Sequence, residues 1–117
     1  MNNMRNLVKI FKALGDPNRI RILKILEVKP LCVCEIREIL GLATSTVSKH
    51  LSILRDVEFI LDIKDGKWVE YKLNNVNINE YVSKLLPLIH SWLPADDIIR
   101  KDRVKVKKVN RNTICGL

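Results

Sequence analysis

Residues 34–73 read CEIREILGLATSTVSKHLSILRDVEFILDIKDGKWVEYKL, and this stretch decides the fold. Within residues 34–40, Ile36, Ile39 and Leu40 share one side of a short helix, and Gly41 supplies the positive φ that a tight helix exit needs. The chain then restarts at once. Thr44 or Ser45 can accept an N-terminal amide hydrogen bond, and Val47, Leu51 and Leu54 form the next apolar stripe, through about Asp56. Two helices joined by so short a glycine-containing turn make a helix-turn-helix. Residues 60–64 and 67–73, rich in Ile, Val, Trp and Tyr, flank Asp65-Gly66, the two-residue signature of a type I′ hairpin. A hairpin directly behind the second helix is a wing. With Ile60, Val69, Tyr71 and Leu73 on one face, it packs back on the helices.

The outward face of that second helix carries Thr44, Ser45, Thr46, Ser48, Lys49, His50, Ser52 and Arg55, with no carboxylate before Asp56. Hydroxyls, an imidazole and cations suit the base edges and phosphates of a DNA major groove, although an ordinary solvated helix face carries similar residues. Lys64 and Lys67 sit beside the hairpin turn, placed to meet phosphate or a minor groove.

Outward from this unit, Leu7, Ile10, Phe11 and Leu14 form an amphipathic stripe that Gly15 stops. Asp16 caps a second helix with Pro17 in its first turn; Ile20, Leu23, Ile25 and Leu26 line its inner face, Arg19, Arg21 and Lys24 lie outside, and Pro30 ends it. Ile78, Tyr81, Val82, Leu85, Leu86, Ile89, Trp92 and Leu93 mark a last helical segment, interrupted by Pro87. That stripe exceeds what one small core needs, and together with the first helix it points to a homodimer, the alternative being that the two helices cover each other in a monomer. The organisation expected is a mainly α, winged helix-turn-helix unit for DNA binding and dimerisation over residues 1–93. Residues 94–117 then form a mobile basic tail carrying Cys115, in which Val104 and Val106 alternate with lysines as in a short edge strand.

The chain has 117 residues, which excludes two full domains. Hydrophobic residues make up 47% and charged residues 29%, and no apolar run approaches the roughly 18 residues of a membrane span. The N-terminal residues interleave Arg5, Lys9 and Lys12 with apolar positions, unlike a secretory signal, so a cytoplasmic protein without a membrane partner is expected. Lys and Arg number 21 against 13 Asp and Glu, a net charge of +8 that favours a polyanionic partner. Residues 94–117 hold seven basic and three acidic side chains, against 14 and ten in residues 1–93, so the end of the chain carries half the excess.

Three cysteines, an odd number in a chain expected to stay in the cytosol, raise thiol chemistry or soft-metal binding. Cys32 and Cys34 lie in LCVCEI, residues 31–36. Two positions apart on a regular helix they would face about 200° apart, so one ion meets both only where the helix has not yet formed, and Pro30 places that irregular turn at Cys32. A thiol at a helix N-terminus also feels the positive end of the dipole, which lowers its pKa. Such soft ligands select trivalent arsenic or antimony, Cd(II), Pb(II) or Zn(II). The same pair can instead oxidise as a redox switch, or lie buried as small apolar residues. An enzyme is not expected. The phosphatase-type loop needs C-x5-R, and six residues beyond Cys32 and Cys34 stand Glu38 and Leu40.

The order helix, helix, helix-turn-helix, wing, helix resembles the ArsR/SmtB family of metalloregulatory winged-helix repressors. ALGDPNRIRILKIL (13–26) is similar to the family's second-helix signature, STVSKHLSILRD (45–56) to its recognition helix, DGKWVEYKL (65–73) to its wing, and LCVCEI to its Leu-Cys-Val-Cys-Asp-Leu box. The resemblance covers roughly residues 7–93. It implies a homodimer that binds double-stranded operator DNA and lets go when an inducer binds, here arsenite or antimonite on Cys32, Cys34 and Cys115, with another thiophilic metal as the alternative. Four departures stand out. Arg37 occupies the position from which some arsenic-responsive members supply a third thiol, leaving Cys115, within roughly 70 Å of extended chain from Leu93, as the other candidate. The N-terminal arm lacks the cysteines of the cadmium and lead sensors. Asn77, Asn79 and His90 do not rebuild the family's second metal site. Glu58 stands where the family often has glycine.

Overall fold

The computed structural model describes residues 3–76 and 79–115. Its elements run α1 (Met4–Leu14), α2 (Pro17–Leu26), β1 (Leu31–Cys32), α3 (Val33–Leu40), α4 (Thr44–Asp56), β2 (Ile60–Asp65), β3 (Trp68–Leu73), α5 (Glu80–Ser91), α6 (Asp97–Lys108) and α7 (Arg111–Ile114). Asn77 and Ile78, the latter assigned to the last apolar stripe, lie outside the described residues. The mainly helical winged helix-turn-helix is therefore present, with α3 and α4 as its two helices and β2–β3 as its wing.

Local chemistry explains most boundaries. Asp16 Oδ1 accepts from the amides of Asn18 (2.8 Å) and Arg19 (3.3 Å), and Pro17 opens α2. Gly41 turns out of α3 with φ 70°, its amide donating to the Arg37 carbonyl at 2.8 Å. Val47, Leu51 and Leu54 point inward as their spacing requires, meeting Ile22, Ile36 and Phe59 in one continuous core.

Several boundaries depart from the sequence reading. α2 ends at Leu26, before Pro30. Lys24, placed outside by its charge, is buried: its Nζ donates to the carbonyls of Ile89 (2.9 Å), His90 (3.3 Å) and Trp92 (2.8 Å) and pairs with Glu27 at 3.3 Å. The ammonium thus satisfies carbonyls at the C-terminus of α5, which carry partial negative charge. Neither Thr44 nor Ser45 caps α4; the N-cap is Ala43, which has no polar side chain. In the wing, Asp65 pairs with Trp68, so the two-residue loop is Gly66-Lys67 and not Asp65-Gly66. Only Gly66 takes a positive φ there (61°), so the turn is not type I′, which needs two such residues. Pro87 does not divide α5; Pro87 and Ser83 are both exposed, so the carbonyl that loses its amide partner lies on the water side. The wing also gains a third strand, β1, paired antiparallel to β3 through Leu31–Tyr71 and Cys32–Glu70 in the order β1-β3-β2.

The largest departure is C-terminal. The mobile tail and edge strand expected around Val104 and Val106 are replaced by helix α6, capped by Asp96 Oδ1, which accepts from the amides of Ile98 (2.9 Å) and Ile99 (3.1 Å). Ile99, Asp102 and Val106 fall at helical spacing and are buried against α2 and α3. Arg21 holds Asp102 with two hydrogen bonds, Nε to Oδ2 at 2.8 Å and Nη2 to Oδ1 at 3.0 Å. A bidentate ion pair inside a mixed apolar contact overrides the local β propensity of two valines.

Candidate nucleic-acid interface and thiol site

α4 turns Val47, His50, Leu51 and Leu54 to the core and leaves Thr44, Ser45, Thr46, Ser48, Lys49, Ser52 and Arg55 exposed. Lys64 and Lys67 are exposed on the wing. Nine of the ten side chains assigned to DNA therefore reach solvent. The N-cap Ala43 makes no side-chain hydrogen bond to the first turn of α4, where backbone N–H donors and the positive end of the helix suit a phosphate. Arg55 Nη1 lies 3.2 Å from Asp62 Oδ2, joining the helix to the first strand of the wing. Lys67 Nζ stands 5.4 Å from the centre of the Trp68 ring.

His50 is the exception and corrects the expectation that it faces DNA. It is 9% exposed, and its Nδ1 lies 3.0 Å from Arg19 Nη1. A guanidinium only donates, so Nδ1 accepts and the proton of the neutral ring sits on Nε2. Arg19 in turn donates to the carbonyls of Ala13 (2.6 Å) and Lys12 (3.2 Å). One guanidinium thereby closes the end of α1 and fastens α4 to α2. The signal is present in the sequence: residues 47, 50, 51 and 54 form one inward stripe, of which His50 is the polar member.

The three cysteines are divided. Cys34 and Cys115, 81 residues apart, form a disulfide with Cα atoms 5.5 Å apart. Cys32 is the free cysteine. It ends β1 and caps α3, its amide donating to Glu35 Oε1 at 2.9 Å, and its side chain is buried. Burial pushes the Cys32 thiol up, outweighing the hydrogen bond from Arg111 Nη1 at 3.9 Å, so the lowering expected from its place at a helix start is not what governs it. Among the described residues no group of three or more His, Cys, Asp or Glu side chains is positioned to hold a metal ion. The donors that do converge, Cys34 and Cys115, are two soft sulfurs, a chemistry that fits a thiophilic ligand.

Arg111, unremarked in the sequence, joins the two halves of this region. From α7 its guanidinium reaches Asp65 Oδ2 (3.1 Å) and Glu70 Oε2 (3.3 Å) on the wing, lies 4.9 Å from the centre of the Trp68 ring, and touches Cys32. No spacing rule marks a contact across more than 40 residues.

Comparison with known proteins agrees with this architecture. Residues 16–61 match the description "Bacterial regulatory protein, arsR family". The chain is 33% identical over 108 residues to the arsenical resistance operon repressor of Escherichia coli K12, covering 90% of this chain and 82% of that one. It is 35% identical over 83 residues to the cadmium resistance transcriptional regulatory protein CadC homolog of Staphylococcus aureus, covering 70% and 69%. Among solved structures, HlyU from Vibrio cholerae N16961 superposes with a TM-score of 0.63 at 29% identity, covering 77% of this chain and 94% of that one. With the wing, the exposed face of α4 and these relatives taken together, the chain belongs to the arsR family of bacterial DNA-binding transcriptional regulators and is not an enzyme.

Proposed function

We propose that the protein is a cytoplasmic, homodimeric repressor that leaves its operator when trivalent arsenic or antimony is captured by its cysteine thiolates. The observation that carries this reading is the meeting of Cys115 with Cys34 on α3, the helix that braces α4. Cytosolic thiols are kept reduced, so before the inducer arrives both would be free and adjacent, as a soft ligand requires. Cys32 supplies a third sulfur when its side chain leaves Arg111. In DNA, Ser45, Thr46 and Ser48 approach base edges, while Thr44, Lys49, Ser52, Arg55, Lys64 and Lys67 meet the backbone. Capture that draws α3 toward Cys115 shifts α4 from this register, and a coupling of about 1–3 kcal/mol changes occupancy roughly 5- to 150-fold.

The test is titration of arsenite into reduced protein bound to a labelled duplex from the DNA upstream of its own coding sequence, with Cd(II) in a parallel series. Arsenite releases the wild type, and Cys34→Ser and Cys115→Ser hold their DNA. Release that survives in a Cys32→Ser/Cys34→Ser variant overturns the proposal, and release by Cd(II) alone reassigns the inducer.

A second reading rests on the disulfide itself: hydrogen peroxide oxidises the Cys34 and Cys115 thiols to the disulfide and is reduced to two waters, and the protein leaves DNA with no metalloid present.

A further inference from the structure

We infer that Arg111 is a positioning residue for DNA binding, carrying the state of Cys115 to the wing. The inference rests on the chain being a winged DNA-binding protein and is independent of which inducer it takes. α7 is set off from α6 by Val109 and Asn110, both in extended conformation, so it is a separate short piece and not a continuation of the packed helix. α6 is held to α2 by the Arg21–Asp102 pair. α7 instead meets α3 on one side, where the Cys34–Cys115 bond adds to packing between the two helices, and the wing on the other through Arg111. Both attachments belong to a single turn, since the Cys115 amide donates to the Arg111 carbonyl at 2.9 Å.

The wing side of this joint is chemically specific. Asp65 ends β2 beside the loop, Trp68 opens β3 and Glu70 lies two residues on, so Arg111 grips both strands near the tip. Asp65 and Glu70 are carboxylates on an element that meets phosphate, and Arg111 answers the charge of both. Its planar guanidinium also covers Trp68, which is only 8% exposed although it stands next to a hairpin loop. When the Cys34–Cys115 bond opens, α7 loses its covalent tie to α3; Arg111 then leaves the wing with two bare carboxylates and an indole covered by Lys67 alone. Opening takes two electrons and two protons. A dithiol reductant gives both, becoming a cyclic disulfide and leaving Cys34 and Cys115 as thiols.

The test uses Trp92→Phe protein, in which Trp68 is the sole tryptophan; Trp92 is exposed and only its main-chain carbonyl is used by Lys24. Trp68 emission and its quenching by acrylamide are measured on air-oxidised protein and after dithiothreitol. On reduction, emission moves to the red and the quenching constant rises. Arg111→Ala has the raised value in both states, Arg111→Lys falls between because it keeps the charge and loses the stack, and Cys115→Ser matches reduced protein throughout. Asp65→Asn/Glu70→Gln removes the same ion pairs from the wing side and gives the same result as Arg111→Ala, which guards against a folding defect in either variant. For the upstream duplex, oxidised protein binds more tightly than reduced protein by about fivefold or more, and the difference is less than about twofold in Arg111→Ala. Tighter binding by reduced protein is what the second reading above expects, and it overturns this inference. Trp68 shielding that ignores reduction, an equal response in Arg111→Ala, or failure of Cys34 and Cys115 to pair on oxidation, read by mass, overturns the inference. Should arsenite fail to release DNA while Trp68 responds as described, the metalloid reading falls and this one stands.

Discussion

Cys32 shows how two local effects of opposite sign are decided by burial. Its place at the start of α3 favours a thiolate through the helix dipole, but the side chain is enclosed by β1, α3 and Arg111, and loss of water raises its pKa. A group whose pKa is raised on folding adds stability below its unfolded-state value and loses it as pH climbs through the folded one. The unfolding free energy of reduced protein is therefore expected to fall, relative to Cys32→Ala, above pH ~8.5, the range where an unfolded thiol ionises. Urea melts of both proteins from pH 7 to 10 check this; parallel curves would show that burial does not control the thiol. Iodoacetamide labelling of Cys32 near neutral pH is correspondingly slow. Glu58 is a second residue-scale case: it holds φ 70° in a position where the family often has glycine, and its carbonyl accepts from Asn74 Nδ2 at 3.2 Å while Asn79 Nδ2 reaches its Oε1 at 3.4 Å. The left-handed backbone that costs a non-glycine residue about 1–2 kcal/mol is thus kept, with side-chain hydrogen bonds holding it.

At the scale of elements, α4 has no side-chain cap at the end proposed to meet DNA. Replacing Ala43 with a capping residue is worth about 1 kcal/mol to a helix, and a carboxylate there also complements the dipole. Ala43→Asp is expected to raise the melting temperature by about 4 °C and to weaken duplex binding, because the same carboxylate takes the amides and repels the phosphate that would use them. A variant both more stable and equally tight on DNA would mean that phosphate does not sit at this helix end. The elements legible in the sequence are those whose signals are local. Asp16-Pro17 opens α2, Gly41 closes α3, and the apolar spacing of residues 47–54 orients α4. α6 was not legible because its buried face includes Asp102, whose partner Arg21 is 81 residues away, so the stripe reads as two valines among lysines. Long separation in sequence likewise hid the pairing of Cys34 with Cys115 and the reach of Arg111.

Taken as a whole molecule, the chain leaves an apolar surface that its own core does not cover. On α1, Met4, Val8 and Phe11 lie at i, i+4 and i+7 and are 80%, 43% and 55% exposed, on the side away from buried Ile10 and Ala13. Leu88 and Trp92, on and just beyond α5, are similarly open, so the first and fifth helices both present unpartnered faces. Of the stripe Leu7, Ile10, Phe11 and Leu14, Ile10 is in the core, whereas Phe11 is on the surface that a second copy would cover. A two-fold axis through these helices would set two α4–wing units on one face of a duplex, and half-sites one helical turn apart, about 34 Å, need that pairing. Phe11→Glu introduces a charge into the self-complementary contact twice per dimer. It is expected to sediment as a monomer at micromolar concentration where the unmodified protein sediments as a dimer, with little change in the chain's own helix content, since Phe11 contributes little to the internal core. Duplex affinity then falls by about the contribution of one half-site and loses its dependence on half-site spacing. A wild-type protein that sediments as a monomer, or a Phe11→Glu variant that remains dimeric, would move the interface off α1 and leave this apolar stripe to another partner.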